Sequence, residues 1–313
     1  MKSKQLCVAV LVGGPSAEAE VSRVSGKGVA DALKSSFAKV VTVELGPDLG
    51  DELRDQGADV VFPVLHGPPG EDGTVQGFLE ILGLPYVGSG VLASACAMDK
   101  VVAKQVFRAH GIPVAREVIC YRRDGLKRGV EQVLNELGPD VVIKPASQGS
   151  ALGVVFGSSD DKVGEGLDRA FEYDSKVLVE ERIMGKEITA AILEKDQPMA
   201  LPVIEIATPA GAWYDYEHRY TPGLSDHIIP APISEDQDRR VRELAVAAHV
   251  SLDCRDLCRV DFVLPEDGEP VVLEVNTIPG MTPTSLYPDA AKAAGITFEQ
   301  LVAGLVESAL ARR

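Results

Sequence analysis

The first hundred residues alternate β-branched apolar runs with segments of helical periodicity. The runs predict strands at residues 6–12, 40–44 and 58–65, and the spacing predicts helices at 21–34 and 74–82. Strands that alternate with helices are typical of a parallel βαβ sheet, in which ligands bind beyond the carboxyl ends of the strands. The Gly-rich loops 13–19 and 66–73 lie at such ends. We therefore predict an N-terminal α/β domain over residues 1–97 with its binding site at these loops.

From residue 98 the pattern changes to that of α+β units. Predicted elements of the first unit are helices at 100–109, 125–137 and 162–173 and strands at 116–120, 141–143, 154–156 and 177–181. The second has strands near 188–193, 201–206, 260–264 and 271–275, and helices at 235–250 and 298–311. We place these domains at 98–187 and 188–313. An irregular segment, about 208–229, is long enough to predict a lid loop.

Composition narrows the classes of function. The net charge of -16 disfavours a nucleic-acid partner, because such binding rests on clustered lysine and arginine. Apolar runs fall short of the roughly 20 residues of a membrane span, and the first run lacks a cleavage pattern. These features predict a cytoplasmic protein with no membrane role.

Five cysteines at irregular spacing argue against a disulfide framework. Cys254 and Cys258 raise the alternative of a zinc site. Since no second pair of cysteines or histidines follows them, the sequence favours buried structural thiols over zinc.

Asp261, Glu274 and Asn276 form the strongest chemical signal. Asp261 lies on one predicted strand, and Glu274 and Asn276 share one face of the next strand by the period of two. In a hairpin these oxygens would converge as ligands of the kind that suits Mg²⁺ on a nucleotide. Solvated acids at a strand end are the alternative.

A lysine and a flexible loop supply candidate phosphate contacts. Lys144 ends a predicted strand, and glycines at 149 and 153 allow backbone amides to face a phosphate. The order of residues differs from the Walker loop, and a plain hairpin is the alternative. Lys100, at the start of a predicted helix, is a second candidate, although an isolated lysine is normally solvated.

In order along the chain, these motifs resemble the D-alanine:D-alanine ligase family of the ATP-grasp superfamily. The matching segments are residues 13–22 (GGPSAEAEVS), 66–77 (HGPPGEDGTVQG), 98–100 (MDK), 144–153 (KPASQGSALG), 214–217 (YDYE), 259–261 (RVD) and 274–286 (EVNTIPGMTPTSL). The resemblance is colinear from about Val8 to the C-terminus. It implies an ATP-grasp architecture in which an N-terminal βαβ domain and two α+β domains clasp a nucleotide.

The resemblance also implies a reaction and roles for single residues. ATP would phosphorylate the carboxylate of one D-alanine, and the amine of a second would attack the acyl phosphate, in the synthesis of peptidoglycan precursors. The implied roles are phosphate binding by Lys100 and Lys144, adenine contact by Glu180 and Ile183, ribose contact by Glu187, and binding of Mg²⁺, with Mn²⁺ as an alternative, by Asp261, Glu274 and Asn276. For the amino acids, they are Glu18 and His66 at the first D-alanine, Arg259 at the oxyanion, and Ser285 and Leu286 at the second carboxylate.

The segment 214–229 resembles the family's lid loop. Tyr220 would join Ser150 and Glu18 in a hydrogen-bonded group that closes the site, which favours an amine nucleophile; a tyrosine that merely packs is the alternative. The chain departs from the family pattern at Arg219 (usually Lys), Ala151 (usually Ser) and Trp213 (usually Phe). Arg219 still carries positive charge towards phosphate, but with another geometry. We expect these departures to raise the KM for ATP without abolishing turnover.

Three alternatives remain at this point. The first is a related ATP-grasp ligase with another second substrate, D-lactate or D-serine. The second is a catalytically inactive relative, although no phosphate lysine, metal ligand or arginine of the pattern is missing. A dinucleotide dehydrogenase is disfavoured, because Gly-x-Gly-x-x-Gly is absent after the first strand. We expect a homodimer, as is usual for soluble enzymes and for this family.

Overall fold

The computed structural model describes residues 6–16, 18–209 and 223–312. Within these ranges the chain forms three sheets with helices packed against them. The mixed fold class predicted from the sequence, parallel βαβ followed by α+β, is confirmed. None of the helices in the described ranges has both the length and the apolar character that crossing a bilayer requires.

The first sheet is parallel, with the strand order β2-β1-β3. Its elements are β1 (Cys7–Val12), α1 (Ala19–Leu33), β2 (Lys39–Glu44), α2 (Leu49–Gln56), β3 (Val60–Pro63), α3 (Thr74–Ile81) and α4 (Val91–Met98). Every residue of β1 is buried, because helices cover both faces of the sheet. Because β1 and β3 are parallel, the loops that follow them leave the sheet at the same end.

The second sheet is antiparallel, with the order β4-β7-β5-β6. Its elements are β4 (Glu117–Tyr121), α6 (Leu126–Glu136), β5 (Val141–Pro145), β6 (Val155–Phe156), α7 (Asp160–Tyr173) and β7 (Lys176–Glu181), preceded by α5 (Lys100–Ala109). Helices α6 and α7 bury Val133 and Leu167 against Ile143 and Val179 of the sheet. Helices α6 and α7 do not cover the other face of the sheet.

The third sheet has six strands, with the path β11-β10-β8-β12-β13 and β9 paired to β8. Its elements are β8 (Lys186–Glu194), β9 (Pro198–Ala200), β10 (Ile204–Ala207), β11 (Asp226–Ile228), α8 (Glu235–Ser251), β12 (Leu257–Leu264) and β13 (Val271–Asn276). Two further helices follow, α9 (Leu286–Ala293) and α10 (Phe298–Ala311). A capping box at Ser234 and another at Thr297 start α8 and α10.

The C-terminal helices return to the N-terminal sheet. Leu301, Leu305 and other apolar residues of α10 share one core with β1 and α1. Asp256 reinforces this packing, because it accepts hydrogen bonds from Gly88 N at 2.7 Å and from Arg312 Nη2 at 2.7 Å. The predicted domain boundaries at 97/98 and 187/188 fall between elements, and their status as domain boundaries stays a prediction.

Five of these helices and strands were not predicted from the sequence, namely helices α2, α4 and α9 and strands β9 and β11. Helices α2, α4 and α9 have eight residues each and strand β9 has three, and such short elements give only a weak periodic signal. Strand β11 lies inside the segment 208–229 that was predicted to be irregular. It pairs with β10 from Glu205 to Ala207, and this long-range pairing leaves no periodic signal in the three residues of β11 itself.

Candidate active site

Two cavities lie between the sheets and meet at Lys100, Gln148 and Glu274, which line both. The first cavity is polar and is lined by the loops after β1, β3 and β13. The second lies between the four-stranded sheet and the β12–β13 hairpin, and it has about 1420 Å³ of empty space including its open mouth. The junction joins a polar compartment to a larger, more apolar one.

The β12–β13 hairpin brings the three predicted metal ligands together. Asp261 is the direct neighbour of Glu274, and Arg259 is the direct neighbour of Asn276. Because residues two apart share a face of a strand, all four side chains lie on the same face. Two carboxylates and an amide at adjacent positions form an oxygen donor set that fits Mg²⁺. Their role as ligands stays a prediction.

Arg259 holds the Asp261 carboxylate in a two-point contact. Its Nε donates to Oδ1 and its Nη2 to Oδ2, both at 2.8 Å. Thr189 Oγ1 on β8 donates to the same Oδ1 at 2.6 Å. Since a carboxylate offers about four lone-pair directions, Asp261 retains one on Oδ2. Thr189 was not predicted from the sequence, because its position opposite Asp261 depends on the β8–β12 register.

Asn276 links this group to Glu71, a buried residue that the sequence analysis missed. In the amide orientation that satisfies both neighbours, Asn276 donates to Glu71 Oε1 at 3.0 Å and accepts from Arg259 Nη2 at 3.1 Å. Burial raises the pKa of Glu71 to about 8, although the Gly67 N–H, 2.6 Å from Oε2, works against this rise. In the sequence, only the position of Glu71 in a Gly-rich loop at a strand end could have indicated a functional role.

Lys100 lies where the two cavities meet. Asp99 caps α5 by accepting from Val101 N and Val102 N, which fixes Lys100 as the first residue of the helix. The Lys100 Nζ atom donates to Gln148 O at 2.6 Å and lies 3.2 Å from Glu274 Oε2. The predicted phosphate lysine and the predicted metal ligand are therefore ion-paired neighbours.

Lys144, at the end of β5, shares a buried carboxylate with Lys104. Glu180 of β7 contacts Lys144 Nζ through Oε2, and its Oε1 lies 2.5 Å from Lys104 Nζ. Burial alone would raise the pKa of Glu180, but the two lysines outweigh it and lower the pKa to about 2. Lys104 was not predicted from the sequence, because it is fully buried and belongs to no motif.

The predicted nucleotide residues line the second cavity. Ile183 and Glu187 are among its walls, as are Phe156, Met184 and Leu273. Glu180 also lines it, but its carboxylate is engaged by the lysines. Adenine contact by Glu180 and Ile183 and ribose contact by Glu187 stay predictions.

Glu18 and Ser150 meet in the first cavity although they are 132 residues apart in the chain. Ser150 Oγ donates a hydrogen bond to Glu18 Oε1. His66 lies in the same cavity, and its buried Nε2 has no hydrogen-bond partner among the described residues. Burial lowers the pKa of His66 below its ordinary value, and Arg259 acts in the same direction. A neutral imidazole with a free nitrogen fits contact with a polar substrate.

Ser285 and Leu286 complete the first cavity. Ser285 precedes α9, and its Oγ accepts from Thr282 N at 3.0 Å. The start of a helix favours negative charge, which fits the predicted contact with a carboxylate. Leu286 is buried. Arg219 and Tyr220, together with Trp213 and most of the predicted lid, lie outside the described residues.

Known proteins resemble this chain over nearly its whole length. The family model described as D-ala D-ala ligase C-terminus matches residues 106–307, and that described as D-ala D-ala ligase N-terminus matches residues 48–89. The D-alanine--D-alanine ligase of Pelotomaculum thermopropionicum is 46% identical over 309 residues, which is 97% of each protein.

Solved structures show the same relationship. That of D-alanine--D-alanine ligase from Bacillus anthracis complexed with ATP has a TM-score of 0.85 at 33% identity and covers 98% of each chain. That of VanG D-Ala:D-Ser ligase from Enterococcus faecalis has a TM-score of 0.84 at 31% identity, covering 97% of this chain and 99% of its own.

The fold and the site define a ligase of the ATP-grasp class, in which two sheets enclose a cleft with lysines on one side and acidic oxygens on the other. More narrowly, the chain belongs to the D-alanine--D-alanine ligase family.

Proposed function

We propose that this protein joins two D-alanine molecules to D-alanyl-D-alanine, with cleavage of ATP to ADP and phosphate, through an acyl phosphate. The meeting of the two cavities at Lys100 and Glu274 carries the proposal, because a phosphoryl group can pass only where its donor and acceptor sites touch. The name of the relatives and the ATP complex of a structural neighbour support both substrates.

ATP occupies the second cavity in this proposal. Its base packs among Ile183, Met184 and Phe156, and its ribose reaches Glu187. The phosphates extend towards Lys100 and Lys144, which supply local positive charge in a protein of net charge -16. Lys144 is held by Glu180 until a phosphate competes for it.

Asp261, Glu274 and Asn276 are proposed to hold Mg²⁺, with Mn²⁺ as an alternative. Their oxygens lie on one face of the hairpin, next to Lys100 and open to the cavity junction. The ion, when bound, neutralises charge on the phosphate oxygens. Arg259 and Thr189 keep Asp261 in place through three hydrogen bonds, so the site is arranged before any ligand arrives.

The first cavity receives the amino acids. A carboxylate oxygen of the first D-alanine attacks the γ-phosphorus, the bond to the β-phosphate oxygen breaks, and ADP leaves. Glu18 accepts the ammonium group of this D-alanine, and His66 Nε2 is free to contact it. Ser285 and the start of α9 bind the carboxylate of the second D-alanine.

Peptide bond formation follows in the same cavity. The amine of the second D-alanine attacks the acyl carbon, a C–N bond forms, the C–O bond to phosphate breaks, and phosphate and a proton leave. Arg259 stabilises the negative oxygen of the tetrahedral intermediate, because its guanidinium remains charged at any working pH. We further propose that Tyr220 and Arg219 act from the lid, on the strength of the motif alone.

A second function deserves a direct test because of the likeness to VanG D-Ala:D-Ser ligase. ADP release should be measured with D-alanine alone and with D-alanine plus D-lactate or D-serine, and the products weighed by mass spectrometry. We expect D-alanyl-D-alanine as the main product. Main formation of a mixed product would overturn the choice of second substrate, and a lack of D-alanine-dependent ADP release would overturn the proposal itself.

The product would serve peptidoglycan precursor synthesis in the cytoplasm, with the enzyme as a homodimer. Membership in the D-alanine--D-alanine ligase family supports a role of the product in peptidoglycan synthesis. Light scattering of the purified chain tests the dimer, and a monomeric mass would contradict it.

A further inference from the structure

His249, Cys254 and Cys258 come together in the core between α8 and β12. Their ligand atoms lie within 4.8 Å of one another, and the three residues are exposed by only 1%, 6% and 0%. None of them is among the described residues that line either cavity. From the sequence only Cys254 and Cys258 were recognised as candidate ligands. His249 comes close to them only because α8 packs onto β12.

A carboxylate orients the histidine towards the two sulfur atoms. His249 Nε2 lies 3.1 Å from Glu194 Oε2, and His249 Nδ1 lies 3.2 Å from Cys258 Sγ. In the neutral ring the bond to Glu194 places the hydrogen on Nε2, so the Nδ1 lone pair faces the sulfurs. A carboxylate behind the second ring nitrogen is the usual support of a metal-bound histidine.

We propose that His249, Cys254 and Cys258 form a second metal site, which binds Zn²⁺ and joins α8 to β12. Zn²⁺ would form one bond to Nδ1 and one to each sulfur, and the two thiols would release their protons to solvent. No electron transfer is involved. Two thiolates neutralise the charge of the ion, which suits a buried position.

The ligand atoms, which lie within 4.8 Å of one another, would each move by about an ångström or less to bind one ion. With Zn–S of about 2.3 Å and Zn–N of about 2.0 Å, tetrahedral ligands lie about 3.6 Å apart. The observed 3.2 Å between Nδ1 and Cys258 Sγ would therefore open by only a few tenths of an ångström. The three residues supply three ligands, and a water molecule would complete the tetrahedron.

Cobalt provides a readout that does not depend on activity. Cys96 on α4 is a half-buried thiol close enough to Cys254 to interact with it, so it is replaced by serine to remove a competing ligand. The full-length Cys96→Ser chain, stripped of metal and kept free of oxygen, should be titrated with Co²⁺ alone. We expect sulfur-to-cobalt charge-transfer absorption at one equivalent, reversed by Zn²⁺. Co²⁺ bound by the oxygens of Asp261 and Glu274 gives no such absorption, so the two sites are distinguished. Absence of the absorption would overturn the proposal.

Variants assign the absorption to these residues. Cys254→Ser and Cys258→Ser should each weaken it, whereas Cys7→Ser and Cys120→Ser, which alter cysteines of other cores, should not. Because Cys258→Ser could unfold the chain, Glu194→Gln is the second test, with an expected tenfold to hundredfold loss of Zn²⁺ affinity, on the order seen for such supporting residues. Unchanged affinity in Glu194→Gln, or a mass showing a Cys254–Cys258 disulfide in the protein as isolated, would contradict the site.

Discussion

Lys104 Nζ lies 2.5 Å from Glu180 Oε1, with both side chains almost wholly buried. Lys104 also donates to Val272 O at 3.1 Å, which ties α5 to β13. Glu180 contacts Lys144 as well, so one carboxylate faces two lysines and leaves one positive charge uncompensated within the group. An anion such as the phosphate chain of ATP is drawn to that excess charge.

Replacement of Lys104 by methionine should therefore weaken ATP binding. Without Lys104 the Glu180–Lys144 pair is neutral, and Glu180 holds Lys144 without a competitor. We expect the KM for ATP to rise about tenfold, the KM for D-alanine to change little, and stability to fall by on the order of 3 kcal/mol. Steady-state kinetics and urea unfolding measure the three quantities.

Lys127→Met is the matched control, because the Lys127 side chain is 92% exposed on α6. It should leave both KM values and the urea midpoint unchanged. Equal changes in the two KM values of Lys104→Met would indicate general damage and contradict the charge argument.

Glu180→Gln should reveal the lowered pKa of Glu180 through the pH dependence of stability. A carboxyl with its pKa lowered from 4.5 to about 2 contributes stability above pH 4.5 and loses it as the pH falls towards 2. The variant should be less stable than the wild type at neutral pH, by on the order of 3 kcal/mol, and the gap should narrow below pH 4.5. Urea unfolding at about pH 7 and about pH 3 tests this, and a constant gap would refute it.

The part of the site that the sequence predicts best is the part encoded by local periodicity. Glu274 and Asn276 share a strand face by spacing alone, and the structure pairs them with Asp261 and Arg259. Lys100 and Lys144 were recognisable because each lies at the end of a predictable element. For these residues, local sequence and tertiary position agree.

Residues positioned by long-range pairing could not be predicted in this way. Thr189 reaches Asp261 through the register of β8 with β12, and Lys104 reaches Glu180 through the packing of α5 on two sheets. His249 similarly gives no signal until α8 is folded. Partners of this kind depend on contacts between distant segments, which a hydrophobic pattern does not specify.

Arg259→Lys should lower the activity strongly, although lysine carries the same positive charge as arginine. Lysine cannot reproduce the two-point contact with Asp261 while also reaching Asn276. We expect kcat to fall about 100-fold, the size of effect seen when one oxyanion contact is lost, and the Mg²⁺ requirement to rise. Arg242→Lys, which alters an arginine paired with Asp238 on α8, serves as the control. Retention of half the wild-type kcat would contradict the role assigned to Arg259.

Ala151→Ser should lower the KM for ATP. Ala151 lines the second cavity in the loop after Lys144, where the family pattern has a serine, and the added hydroxyl offers a donor to a phosphate oxygen. A hydrogen bond to a charged group contributes about 1.5 kcal/mol or more, so we expect the KM to fall about tenfold while kcat is maintained. Ala151 has φ of 58°, a strained value for a residue with a Cβ atom. Ala151→Gly therefore serves as the control, since glycine relieves the strain without adding a donor. An unchanged or higher KM in Ala151→Ser, or an equal fall in Ala151→Gly, would show that the missing hydroxyl is not what limits ATP binding.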